Sequence, residues 1–226
     1  MKYLITYGKP GPGGAPRRLP DGVSIDTVSG SCRAAGVEFL EGVSRGWAKR
    51  ELATWLSEPY AVAASRLGRV DPPTESVVTD GVDLRPSRLA AIMESARLHT
   101  LTMLEELALP HAESDYVDEA ITHGYVCPAE DELGTAVWVP IDRPRMRLRD
   151  RVRSLFVADY LNTPYEYESS FFVCHRCEAA RVDEDAKWMG FCRKHLRPSH
   201  TVARVLGDEA PASAAVGEDD SQKNVS

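Results

Sequence analysis

The 226-residue chain has no apolar run near the ~18 positions that a membrane helix needs. Its first residues, MKYLITYGKPGPGG, hold two lysines, Lys2 and Lys9, and a short apolar stretch that Gly and Pro interrupt. That is too little for a secretory h-region, so the expectation is a cytoplasmic protein with no membrane contact. The sequence also lacks HExxH, GxxxxGK(S/T) and GxGxxG. Metalloprotease, P-loop and dinucleotide chemistries therefore have no motif to stand on, and an enzyme is less expected than a binding protein. Cysteine is scarce: there are five, an odd number. In a reducing compartment, closely spaced cysteines read as metal ligands rather than as a disulfide framework.

Apolar residues make up 43% of the chain, ample for a core. The net charge of −7 is unevenly placed. From Gly207 to Ser226, five acids face one lysine, and this polar stretch has the composition of a disordered acidic tail. Between Arg143 and Arg153, six arginines face one acid, Asp150. A phosphate backbone meets local charge, so an acidic total does not exclude nucleic acid.

Along the chain, KYLITY at 2–7 reads as a strand and the Gly/Pro-rich segment after it as a loop. Residues 31–57 read as one or two helices, with Trp47, Leu52, Trp55 and Leu56 at helical spacing and Pro59 as the stop. YAVAASRLGRV follows as a second short helix. The stretch RGWAKRELATWL…VAASRLGRVDPP resembles a helix-turn-helix of the repressor type, with Ser57-Glu58-Pro59 where a Gly-containing turn is usual. Two packed helices with a solvated basic edge account for the same residues. Arg85 to Leu109 reads as the clearest helix, with Pro86 near its start and an apolar stripe including Leu89, Met93, Ala96, Met103, Leu104 and Leu107. His99 lies at the edge of that stripe. A helix over Ser114 to His123 and a strand over Thr135 to Val139 follow. His123 and Cys127 are four apart, but Gly124 and Pro128 break any helix that would align them as a pair. Cys32 and Cys127 read as small buried apolar residues.

Arginine stands at every odd position from 143 to 153: Arg143, Arg145, Arg147, Arg149, Arg151 and Arg153. The continuation SLFVADYLN favours a helix ending before Pro164. Like charges at i, i+4 repel, so something must offset them. Nucleic-acid phosphates, an acidic protein partner or the chain's own carboxylates would each serve.

The densest chemistry lies in VCHRCEAARVDEDAKWMGFCRKH, Val173 to His195. Cys174 and Cys177 are spaced C-x2-C, and Cys192 and His195 are spaced C-x2-H. Two residues between ligands let both side chains of a pair reach one ion from a tight turn. Three thiolates and one imidazole close a tetrahedron around Zn²⁺ with no position left for water, so the ion is expected to be structural. SSFFV reads as a strand into the first pair, and EAARVDEDAKWMGF as a hairpin with DED at its turn. Strand, knuckle, hairpin and a ligand pair at a helix start resemble a treble clef, with a zinc ribbon as the alternative. The tetrapeptide EDAK is similar to the D/E-x-K of some nucleases, although solvated turn charge explains it as well.

The expected architecture is α+β. Residues 1–142 form a mainly helical domain, 143–206 an arginine-rich helix plus the zinc module, and 207–226 the tail. The expected function is a non-catalytic zinc adaptor that contacts nucleic acid through the basic helix and the zinc module. The alternatives are a protein–protein adaptor for an acidic partner, or a zinc-supported nuclease.

Overall fold

The computed structural model describes residues 17–64, 85–110, 114–143 and 146–196. The strand expected at 2–7, the chain beyond Ala64 in the helix-turn-helix comparison, Arg145 and the acidic tail lie outside these residues.

Helices predominate, with two small antiparallel sheets. Helix α1 spans Ile25–Ser44. Ser24 caps it by accepting a hydrogen bond from the Thr27 N–H, and Asp26 sits in the first turn, where the helix dipole favours an acid. Its buried face includes Val28, Cys32, Ala35, Phe39 and Val43. Two glycines on that helix are required by close approach. A Cβ on Gly36 would lie 2.6 Å from the Phe156 ring, and one on Gly42 would lie 1.9 Å from Trp47.

Helix α2 (Lys49–Trp55) runs without a break into a π-helical segment, Leu56–Tyr60, and then α3 (Ala61–Ala64). The expected stop at Pro59 is thus a π-bulge, where wider winding accommodates a residue with no N–H. No tight turn separates two helices here, and the resemblance to a helix-turn-helix fails at that point. Trp55 anchors the segment to α1 by donating its indole N–H to the Ala35 carbonyl at 2.9 Å.

Helix α4 covers Pro86–Leu107 and α5 covers Asp115–Thr122, close to the ranges expected. Strand β2 (Ala136–Pro140) pairs antiparallel with β1 (Val126–Glu130), with Pro128 opposite Trp138. Helix α6 (Leu148–Asn162) runs through the middle of the body, packing on α1, α4, α5 and β2. Every residue from Asp150 to Leu161 is buried. Asn162 pins the end of α6 to β2, accepting from the Trp138 N–H at 2.7 Å and donating to the Trp138 carbonyl at 2.8 Å. Asp159, fully buried on α6, accepts from Arg33 at 2.8 Å and from the Tyr167 hydroxyl at 2.7 Å. Burial pushes its carboxyl up from the usual range, against the pull of those two donors.

Helix α7 (Pro164–Ser169) leads into β3 (Phe171–Val173), which pairs antiparallel with β4 (Ala180–Val182), and α8 (Glu184–Lys187) follows. One apolar cluster extends from Leu19 to Ala180, so the arginine-bearing helix shares its core with the helices before residue 142. A second, small cluster consists of Phe172, Cys174, Ala186 and Cys192.

Candidate metal centre

Strand β3 delivers Cys174 into a tight reversal. The Cys174 N–H bonds the Ala179 carbonyl at 3.0 Å, and the Glu178 N–H returns to the Cys174 carbonyl at 2.8 Å. Closing so short a loop forces Glu178 into the left-handed region, φ 51°, where it is the only non-glycine among the described residues. Gly190, at φ 69°, makes the second turn. Its carbonyl accepts from the His175 N–H, and the His175 ring sits 2.4 Å from where a Cβ would stand. His175 therefore braces the two turns and does not join the ligand set. The DED expected at a hairpin turn instead starts α8, where the Asp183 side chain caps by accepting from the Ala186 N–H.

These turns bring Cys174, Cys177, Cys192 and His195 together, with one ligand atom from each lying within 4.8 Å of all the others. The spacing is close enough to hold a metal ion. Cys177 Sγ and Cys192 Sγ are 3.8 Å apart, and His195 Nδ1 lies 3.5 Å from Cys174 Sγ and 3.2 Å from Cys192 Sγ. Burial works against a thiolate at Cys174. The backbone N–H groups of Cys192, Cys177 and Arg176 and the side chain of His195 more than offset it, lowering the thiol to about 5. Burial pushes the Cys177 thiol up, with only the Ala179 N–H acting to lower it among its leading influences.

Three polar links fasten this module to the helical body. Arg97 of α4 bonds Glu178 at 2.9 Å, and Arg181 bonds Glu41 of α1 at 2.8 Å. The Lys187 ammonium donates to three backbone carbonyls: Ala108 just past α4, and Tyr167 and Glu168 in α7. Burial lowers its pKa. The lysine of EDAK is thus seated on helix ends. Between α1 and the module lies a cleft of about 400 Å³, lined in part by Cys177, Cys192 and His195. Cys174 does not line it.

The arginine segment is divided. Arg143, Arg147 and Arg149 are exposed. Arg143 donates to the Gly124 carbonyl, Arg147 holds the N-cap position of α6, and Arg149 lies 3.6 Å from Asp150. Arg151 and Arg153 are buried, at 2% and 3% exposure. Arg151 pairs with Asp142 and donates to the Met146 carbonyl, while Arg153 pairs with Glu119 and, at 3.1 Å, with Asp150. The surface expected from six arginines on one helix is corrected accordingly. The helix starts only at Leu148, and the chain's own carboxylates neutralise the two arginines that its inner face carries. Glu119 and Asp142 were the missing partners, and nothing in their local sequence marks them.

The remaining candidates stay apart from the cluster. Cys32 lies in the main core, and Cys127 is half-buried in β1 with its thiol pushed up by burial. His123 follows α5, its Nδ1 2.8 Å from the Glu119 carbonyl and its ring stacked on Tyr125. Among the described residues, no helix is long and apolar enough to cross a membrane. A scan against protein-family models finds no match, and comparisons with curated proteins and with solved structures find none either.

Proposed function

We propose that the Cys3His cluster holds a structural Zn²⁺, and that it closes a treble-clef or zinc-ribbon type module on a non-catalytic binding protein whose partner is nucleic acid. The ligand geometry carries the zinc part. Bonds of about 2.3 Å to sulfur and about 2.0–2.1 Å to nitrogen give a tetrahedron with S–S edges near ~3.8 Å and S–N edges near ~3.5 Å. The separations of 3.8, 3.5 and 3.2 Å along three of the six edges lie close to that figure, and all four ligand atoms lie within 4.8 Å of one another. Four protein ligands fill the coordination sphere, which is the arrangement of a stabilising ion rather than a catalytic one. The second core cluster has only four buried members, too few to hold three short elements together alone.

The nucleic-acid part rests on cations left free of the core. Arg143, Arg147 and Arg149 are exposed at the start of α6, and Arg176 and Lys194 are exposed on the module. Native mass spectrometry with metal analysis is expected to find one zinc per chain. Mobility-shift titrations are expected to show retarded DNA or RNA, with affinity falling steeply between 50 and 200 mM salt as released counterions demand. Binding to an acidic polypeptide but not to nucleic acid would replace this partner with a protein. Metal-dependent strand cleavage would replace the non-catalytic reading with a nuclease.

A further inference from the structure

The four ligands are not equally protected. Cys174 is fully buried beneath three backbone N–H donors and lies away from the cleft. Cys177 is only half-buried and lines the 400 Å³ cleft together with Cys192 and His195. Arg45 and Lys194 line the same opening, which is wide enough to admit a small polar solute. A soft nucleophile that solvent can reach, with a second sulfur 3.8 Å away, meets the geometric need of thiol oxidation: an attacked sulfur and a resolving one. The pair needs to close by less than 2 Å to reach disulfide length.

We infer that Cys177 and Cys192 form a site of oxidation by hydroperoxides, closing to a Cys177–Cys192 disulfide. This inference rests on the zinc reading above. The Cys177 thiolate attacks the outer peroxide oxygen. The O–O bond breaks, the alcohol or water leaves with a proton from solvent, and Cys177 becomes a sulfenic acid. The Cys192 thiolate then attacks the Cys177 sulfur and the S–O bond breaks, the departing hydroxide taking a second proton from solvent and leaving as water. Two thiolates lose two electrons in all, and the peroxide gains them. Cys174 and His195 are then the only ligands left, too few to retain a tetrahedral ion. The selectivity is specific to this fold: sequence proximity alone would pair Cys174 with Cys177 across their two-residue gap.

The test uses the full chain. Its zinc content is measured first, since a chain purified without zinc overturns the zinc reading and this inference with it. The loaded chain is then titrated with hydrogen peroxide while a chromogenic chelator reports released zinc and peptide mapping locates the disulfide. One zinc released per Cys177–Cys192 disulfide is the expected result. A Cys174-containing disulfide, release with no disulfide, or no release at millimolar peroxide each overturns the inference while leaving the zinc reading intact. A Cys177→His variant replaces the attacked sulfur with a competent ligand, and its zinc is expected to leave about tenfold more slowly under peroxide. The mapping result on the unaltered chain decides the matter even if that variant fails to load.

Discussion

The helical body and the metal module solve the same problem with opposite means. The body buries a continuous apolar cluster from Leu19 to Ala180, with Phe39, Trp55, Tyr60, Phe156 and Tyr167 at or below 1% exposure. Its buried carboxylate Asp159 is tied internally, to Arg33 and Tyr167. The module's own cluster has four buried members, and the module leaves Trp188 77% and Phe191 38% exposed and gathers three sulfurs and a ring nitrogen into one small volume. Removing apolar area from water supplies the body with its stability at roughly 25 cal/mol per Å². The module's own cluster offers little such area, a deficit that the proposed coordination would make up. The two regions are joined by Phe171, Val173 and Ala180, which belong to the large cluster, and by the polar links Arg97–Glu178, Arg181–Glu41 and the seat of Lys187.

Metal removal is expected to separate the two regions most sharply. Apparent zinc-binding free energies of about 10–16 kcal/mol stand behind small modules of this kind. With a strong chelator, amides of β3, β4 and α8 are expected to exchange freely, while those of α6 keep their protection. Equal loss in both places, followed by hydrogen exchange, would merge the two regions into one unit and end the comparison.

Phe156→Ala attacks the other side. Its ring is fully buried, lies against the position a Gly36 Cβ would occupy and meets Phe171 edge-on at 6.4 Å. The expected cost is about 3–5 kcal/mol, read as a lower urea midpoint. The folded fraction is expected to keep its full zinc content, since no ligand touches this ring. Zinc lost in proportion to stability would show that the core, rather than coordination, organises the module.

Lys187→Met probes the junction and carries the smallest effect. It leaves the Ala108, Tyr167 and Glu168 carbonyls without their shared donor. The expected loss is about 1–2 kcal/mol, together with faster zinc exchange, because an undocked module opens more often. An unchanged exchange rate would mean that docking and coordination are independent.

How much of this was legible in the sequence depended on how far apart the interacting residues lie. The ligand set could be read because Cys174–Cys177 and Cys192–His195 each fit within one turn. Helix α4 could be read because its apolar stripe repeats with the helical period. Strand β1 escaped notice because Val126-Cys127-Pro128 carries a proline where a ladder donor is expected, and only pairing with β2 makes it a strand. The fate of the arginines was less legible still. Arg151 and Arg153 resemble their exposed neighbours in sequence, and what separates them is Asp142 and Glu119 arriving from other elements. The π-bulge at Pro59 hid for a related reason: a proline usually ends a helix, and here wider winding carries the chain through.

The ammonium of Lys187 has one more implication, for the order in which the molecule assembles. A ribosome makes α4, α6 and α7 before it makes α8, and the last member of the large cluster, Ala180, leaves the exit tunnel only a few residues ahead of Lys187. The three oxygens that receive this side chain belong to segments far apart in synthesis, around Ala108 and around Tyr167. They converge only when the body has already closed. Seating of Lys187 thus requires that the end of α4 and helix α7 already lie side by side.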